Sequence, residues 1–306
     1  MARPRSVKPA MTLTRLVDRF RSEEKCRSYL EELRWPDGVH CPRCQSEKIS
    51  RIVKRNQFDC DSCRYQFSVT AGTIFADSHL PLWKWFAAAY LIGESRKGVS
   101  ANQLKRELGT TYKTAFYLTH RIRAAMKDEN PIPLSGIVEV DETWIGGKRR
   151  HVGGGYKDNK TMVLGAVERG GRIRLRVEKH NARRDLTKFI HETIDPDAPR
   201  IMTDGWKGYV TSDIADHNTT HETVDHRQHE WVRADVHTNT VEGVWSLLKR
   251  SIVGSYHQLS VKHLPAYLDE MAFRFNNREN AFLFRDTILK LLEAKTLPYR
   301  RLVAEA

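Results

Sequence analysis

No stretch of this chain approaches the ~18 consecutive apolar residues that a membrane-spanning helix needs, so no transmembrane segment and no membrane partner are expected. The opening M-A-R-P-R-S-V-K-P-A-M-T is basic and has neither an unbroken apolar core nor a small-residue cleavage site, so no secretory signal is expected. Internal repeats and low-complexity tracts are also missing, which excludes a solenoid. Acidic residues are in deficit: 38 Asp and Glu against 51 Lys and Arg leave a net charge of +13, with a pI near 9.6. A polyphosphate partner suits that excess, because each neutralised phosphate releases a counterion. Solubility alone also makes proteins basic, so charge does not decide the matter. Cysteine is scarce at five residues, and without an export signal a reducing compartment disfavours disulfides.

What remains is a globular composition. At 306 residues, with 40% hydrophobic and 29% charged, the chain is long enough for about two domains and a sizeable core.

Four of the five cysteines form one pattern: Cys41-x-x-Cys44, fifteen residues, then Cys60-x-x-Cys63. That is the two-knuckle spacing of a zinc ribbon, in which each turn presents two sulfurs to one tetrahedral Zn2+. Four thiolates leave no open position, so the metal is structural. Ile49 to Phe58 reads as a hairpin, and Tyr65 onward as a further strand. Cys26 lies outside the pattern and reads as an ordinary thiol.

Before the ribbon, residues 11–34 have helical apolar spacing at Leu16, Phe20, Tyr29 and Leu33, ended by W-P-D-G. After it, Leu80-Pro81 opens another helix running to about Glu94. Ser100, with Gln103 three residues on, caps the next helix. Gly109 suits a tight turn, and Thr110 or Thr111 caps a helix through Met126. Two helices across such a turn describe a helix-turn-helix, whose second helix would bring Tyr112, Lys113, His120, Arg121 and Arg123 to DNA. An ordinary helical hairpin with a solvated basic face has the same pattern. Pro131-Ile-Pro133 reads as a linker.

Beyond it the period changes. Ile137 to Ile145 is a β-branched strand, followed by a glycine-flanked basic loop with Lys148, Arg149 and Arg150. Residues 161–168 and 172–178 make a hairpin; 182–193 is helical; 200–203 and 222–226 are short strands; 238–250 and 261–277 are helical. Three consecutive strands followed by alternating helices and strands predict an α/β, RNase H-like mixed sheet with flanking helices.

Asp141 ends a strand in V-E-V-D-E-T-W-I-G-G-K, and Asp204 ends another in I-M-T-D-G-W-K-G-Y. Open sheets place functional groups at such strand ends. Two carboxylates there suit Mg2+, which takes oxygen ligands and serves phosphoryl transfer; a lone Asp at a strand end is otherwise a turn cap. Asn239, Glu242, Ser246 and Lys249 share one helix face, with Val244, Leu247 and Leu248 on the other. Glu139 shares the sheet face of Asp141 and is a further candidate carboxylate, whereas Glu142 points the other way. Five of the thirteen histidines fall between His217 and His237, a spread that fits phosphate contact or solvent better than a second metal site.

The ribbon, the two aspartate motifs and N-T-V-E-G-V-W-S-L-L-K-R, in this order, resemble insertion-sequence transposases of the ISXO-like family with a DDE-type catalytic domain. F-S-V-T-A-G-T-I-F after the last cysteine pair and F-R-F-N-N-R near the end also fit, and the resemblance spans about residues 25–280. It implies cleavage and joining of DNA at terminal inverted repeats, with Mg2+ or Mn2+ held by Asp141, Asp204 and a third residue. DDE enzymes at large use Glu followed seven residues later by Lys or Arg, which selects Glu242 and Lys249. Relatives of this subgroup use Asn, which selects Asn239, with Glu242 beside it. Lys148, Arg149, Arg150, Lys207 and Lys249 would neutralise the bound DNA. The implied partners are double-stranded DNA, both terminal repeats and target, and further copies of the chain assembled on it. The expected location is cytoplasmic, at the nucleoid.

The expected organisation is an N-terminal helical segment at 1–38, a zinc ribbon at 39–76, a helix-turn-helix region at 77–130, an RNase H-like domain at 131–280 and a helical tail at 281–306. Two other functions fit the same motifs: a non-catalytic zinc-ribbon DNA-binding protein, and a structure-selective nuclease on the same fold.

Overall fold

In the computed structural model, which describes residues 11–146, 160–178, 183–206, 208–209 and 219–304, Ser22 divides the first helical stretch in two. Helix α1 (Leu13–Arg19) ends at the buried Phe20. The Ser22 hydroxyl then accepts from the Lys25 N–H at 3.3 Å and opens α2 (Glu23–Arg34) with two glutamates in its first turn, where the helix dipole favours them. Periodicity alone predicts one helix because both halves bury the same stripe, Leu16 and Phe20 in one and Tyr29 and Leu30 in the other.

The chain divides into two units, residues 1–127 with 279–306, and residues 128–278. The first holds the three-stranded antiparallel ribbon β1 (Ile49–Ile52), β2 (Gln57–Cys60) and β3 (Gln66–Phe67). Trp35 packs edge-on against Phe58 at 5.4 Å and Phe67 at 5.9 Å, so the W-P-D-G breaker also supplies an aromatic floor. Helices α3 (Leu82–Glu94), α4 (Ala101–Leu108) and α5 (Tyr112–Met126) follow. Ser100 and Thr111 cap α4 and α5 through the Gln103 and Thr114 N–H groups at 3.1 and 3.2 Å. Gly109 makes the turn at φ +57°, a conformation costly for other residues.

The second unit carries β4 (Ile137–Ile145), β5 (Thr161–Glu168), β6 (Ile173–Glu178), α6 (Arg183–Thr193), β7 (Arg200–Asp204), β8 (Thr220–Val224), α7 (Asn239–Ser251) and α8 (Leu264–Asn276). A π-helical stretch, Ile252–Tyr256, prolongs α7. Strand order is β6-β5-β4-β7-β8, antiparallel among the first three and parallel from β4 to β8: the RNase H-like sheet. One face buries Val138, Val140, Leu164 and Ala166 under Leu186, Phe189 and Ile190 of α6. The other buries Val163, Val167 and Ile173 under Val241, Val244, Trp245 and Leu248 of α7 and Leu264, Leu268 and Met271 of α8. The F-R-F-N-N-R motif is a tie to the edge strand. Asn276 exchanges hydrogen bonds with the Ile173 backbone at 2.7 and 3.2 Å, and Arg278 donates to the Gly170 and Gly171 carbonyls.

The tail at 279–306 belongs to the first unit, where α9 (Leu283–Glu293) packs Phe284 against Phe20 and Phe86, and α10 (Tyr299–Val303) follows. No helix among the described residues is long and apolar enough to cross a membrane.

Candidate functional site

The cysteines of the ribbon converge. Their four sulfurs lie within 4.8 Å of one another, with Cys41 to Cys63 at 3.7 Å and Cys44 to Cys60 at 3.5 Å. A tetrahedron of sulfurs at Zn–S ~2.3 Å has edges of about 3.8 Å, so the cluster is sized for one Zn2+. The Arg43 N–H points at the Cys41 sulfur from 3.4 Å, a backbone donor that supports a thiolate there. Cys26 is fully buried away from them, its thiol facing the Phe20 carbonyl, and burial pushes its pKa up to about 12.

In the second unit, Asp141 sits in β4 opposite Gly165 of β5. Asp204 closes β7, the parallel neighbour of β4, and the register that pairs Glu139 with Met202 brings Asp141 level with it. Asp141 itself does not end its strand as the sequence led us to expect, because β4 continues to Ile145. Burial, the adjacent Glu142 charge and the Asp204 charge push Asp141 up to about 7, against hydrogen bonds from Trp245 Nε1 at 2.8 Å and the Glu142 backbone. Burial also raises Asp204, while a hydrogen bond from the Trp206 N–H at 3.1 Å and the nearby His226 and Arg227 hold it down. Glu142 points to the opposite face, as the pleat requires, and accepts from the buried Tyr209 hydroxyl at 2.7 Å. Burial, followed by the charges of Glu142, Asp141 and Asp204, keeps that phenol well above its usual pKa. A pair of carboxylates is the oxygen donor chemistry that Mg2+ or Mn2+ takes.

Helix α7 runs beside these acids. Asn239, Glu242, Ser246 and Lys249 are all exposed, and Val241, Val244, Trp245 and Leu248 are buried. Glu242 accepts from the Thr238 hydroxyl at 3.1 Å and lies 3.8 Å from His226 Nε2.

Trp245 reaches Asp141 because Gly165 makes room. A Cβ on Gly165 would fall 2.5 Å from the indole Cη2. The signal was a glycine in the middle of T-M-V-L-G-A-V-E, which in a strand marks close approach by another group.

Glu139 departs from its expected role. Its carboxylate does not stand free beside Asp141; it accepts from the Thr240 and Val241 N–H groups at 2.7 and 3.0 Å, the Thr240 hydroxyl at 2.8 Å and Arg169 Nε at 2.7 Å. Sheet-face parity was right, but the helix end claimed the charge. Among the histidines, His221 meets the Thr203 hydroxyl at 2.9 Å and His237 Nδ1 meets Arg169 at 2.9 Å; His217 lies outside the described residues.

The helix-turn-helix surface needs correction. Tyr112 and Lys113 are exposed, the lysine 4.7 Å over the Tyr299 ring. His120, Arg121 and Arg123 are buried instead. Arg121 donates to the Ile74 and Ala76 carbonyls and Arg123 to the Val99 carbonyl, so these cations fasten loops rather than face DNA. The amphipathic stripe of α5 is wide, and its C-terminal half turns inward on all but Ala124. Lys148, Arg149, Arg150 and Lys207 lie outside the described residues.

Comparison with known proteins bears on the whole pattern. Residues 133–276 match the ISXO2-like transposase domain, and residues 21–66 match the transposase zinc-ribbon domain. The chain is 30% identical over 276 residues to an uncharacterized protein in transposable element ISH50 of Halobacterium salinarum, covering 84% of this chain and 92% of that one. Among solved structures, a simian T-cell lymphotropic virus intasome in complex with PP2A regulatory subunit B56 gamma is similar at TM-score 0.32 and 13% identity, covering 61% of this chain and 65% of that chain. The Mos1 transposase paired-end complex with left transposon end is similar at TM-score 0.30 and 13% identity, covering 68% and 75%. With its four-cysteine ribbon and mixed five-stranded sheet, the chain belongs to the ISXO2-like transposases that carry an N-terminal transposase zinc ribbon.

Proposed function

We propose that this protein cuts and joins DNA at the terminal inverted repeats of an insertion sequence by divalent-metal-dependent phosphodiester hydrolysis and transesterification. The observation that carries this reading is the pairing of Asp141, in the middle of β4, with Asp204, at the end of the adjacent parallel strand β7, two buried carboxylates of an RNase H-like sheet with the Asp204 charge acting on Asp141. Asp141, Asp204 and Asn239 would hold Mg2+ or Mn2+, which would supply charge neutralisation at the scissile phosphate and a more acidic attacking hydroxyl.

The chain's own groups do the rest. Trp245 fixes the rotamer of Asp141 from one side, and the Trp206 N–H fixes Asp204. Asn239 offers a neutral carbonyl oxygen and is no base. Glu242, one turn on, adds a carboxylate beside it, and Lys249 faces the DNA phosphates from the same exposed helix face. Tyr112 and Lys113 stand at the exposed start of α5, where phosphate contact fixes register on a duplex. Lys148, Arg149, Arg150 and Lys207 add to that neutralisation. The Zn2+ of the ribbon is structural, and two or more copies bring two DNA ends together at the nucleoid.

A joining assay tests this. With Mg2+ and labelled terminal-repeat DNA, the protein joins ends to target; a nuclease would only cut, and a binding protein would only shift mobility. Asp141→Asn should lower cutting more than about a hundredfold while DNA affinity changes less than about twofold. Cleavage by that variant at the wild-type rate would remove the catalytic assignment.

A further inference from the structure

Helix α7 has no cap of its own. Its N-cap residue, Thr238, spends its hydroxyl on Glu242 rather than on a backbone N–H. The orphan donors of the first turn are met from elsewhere: Asn239 N–H by His237 Nδ1 at 3.3 Å, and Thr240 and Val241 N–H by Glu139 Oε2 at 2.7 and 3.0 Å. Glu139 is fully buried and belongs to β4, two residues before Asp141. Its other oxygen accepts from Arg169 Nε at 2.7 Å and the Thr240 hydroxyl at 2.8 Å. Arg169 in turn donates to the carbonyls of Asp235 and His237 at 2.8 and 3.0 Å and to His237 Nδ1 at 2.9 Å. His237 Nδ1 also lies 3.3 Å from Glu139 Oε1, so the imidazole belongs to the same cluster.

We propose that Glu139 is a positioning residue: its buried carboxylate, clamped by Arg169, holds the first turn of α7 on β4 and thereby sets Asn239 relative to Asp141. The inference rests on the reading of Asp141, Asp204 and Asn239 as the metal donors. Fixing the N–H groups of Thr240 and Val241 fixes the peptides that follow Asn239, so the donor cannot swing about its own backbone. A negative charge at this helix end is favoured by the dipole, and burial strengthens each bond. Trp245 to Asp141 at 2.8 Å is a second tie between the same helix and strand, so α7 is held to β4 both at its first turn and in its middle. The first tie acts on the third donor, the second on the first donor.

The test uses the full zinc-loaded chain, with Mn2+ alone as the probe. Glu139→Gln removes the charge and sets an amide N–H against Arg169. Expected are faster hydrogen exchange at the Thr240 and Val241 amides and a half-saturating Mn2+ concentration raised about tenfold, by calorimetry and by DNA cutting, since partners of metal ligands are worth about 10–100-fold. Thr240→Val, which removes only the hydroxyl donor, is the milder variant if Glu139→Gln does not fold, with an expected rise of roughly threefold. Val244→Ala, a core truncation in the same helix, controls for general loosening: it should lower thermal stability and leave Mn2+ half-saturation unchanged. Unchanged exchange and unchanged Mn2+ half-saturation in Glu139→Gln, or a shift matched by Val244→Ala, would overturn the positioning role. No Mn2+ binding to the wild-type chain would overturn the metal reading itself, a result distinct from wild-type binding that is indifferent to Glu139.

Discussion

Asp141 holds a carboxyl near neutrality at a place where the proposed chemistry needs it charged. Burial first, then Glu142 and Asp204, raise it to about 7 from an ordinary value near 4. A carboxyl with a raised folded pKa binds its proton more tightly in the folded state, so its stabilising effect is complete below about pH 4 and is lost as pH rises through about 7. The metal-free protein should therefore be less stable at pH 8 than Asp141→Asn, by about 1–3 kcal/mol, and the difference should shrink at pH 5. Added Mn2+ should raise the wild-type melting temperature at pH 8 and leave Asp141→Asn almost unmoved. Thermal denaturation of both proteins at the two pH values, with and without Mn2+, checks it; a wild type more stable than the variant at pH 8 without metal would contradict it.

At the scale of elements, two helices are started by carboxylates far away in the chain. Glu139 of β4 closes α7, and Glu23 of α2 accepts from Leu82 and Trp83 N–H at 2.9 and 3.2 Å to close α3, whose N-cap is Pro81. Capping rules read along the sequence found Ser100 and Thr111 because those caps are local. They could not find Glu139 or Glu23, whose partners lie 101 and 59 residues away. The same limit hid Trp245, which on the helix reads only as one more apolar residue. Its contact with Asp141 depends on the bare backbone of Gly165 across the sheet. Gly165→Ala should displace the indole, cost about 1–3 kcal/mol as overpacking, and reduce cutting by breaking the Trp245–Asp141 bond. Denaturant unfolding together with the cleavage assay measures both effects. Equal losses in a Trp245→Phe variant that keeps Gly165 would tie the activity loss to the hydrogen bond.

Over the whole molecule, each unit carries its own kind of order. The ribbon has three short strands around four converging sulfurs sized for one Zn2+, and binding that ion contributes about 10–16 kcal/mol in comparable small domains. The second unit buries an apolar layer on each face of its sheet. Stripping zinc with a chelator, or Cys60→Ser, should therefore abolish hydrogen-exchange protection across β1–β3 and leave protection in β4 and β5 in place. Loss of protection in β4 and β5 on chelation would refute that independence.

Much of this was legible along the chain: the zinc spacing, the β-branched strand that carries Asp141, the order of three strands before the alternating elements, and the exposed face of Asn239, Glu242, Ser246 and Lys249. Each is a local repeat or spacing, and covalent geometry alone dictates which side chains it brings together. Folding decided which charged groups were surface and which were structural. His120, Arg121 and Arg123 looked like DNA contacts because charge is visible in a sequence and burial is not; Arg121 and Arg123 satisfy backbone carbonyls that no spacing rule connects to them. Glu139 looked like a spare ligand and became a helix cap. Local chemistry thus determined the elements and the candidate donors, whereas long-range packing, which alone sets desolvation and hydrogen-bond partners, decided what each charge does.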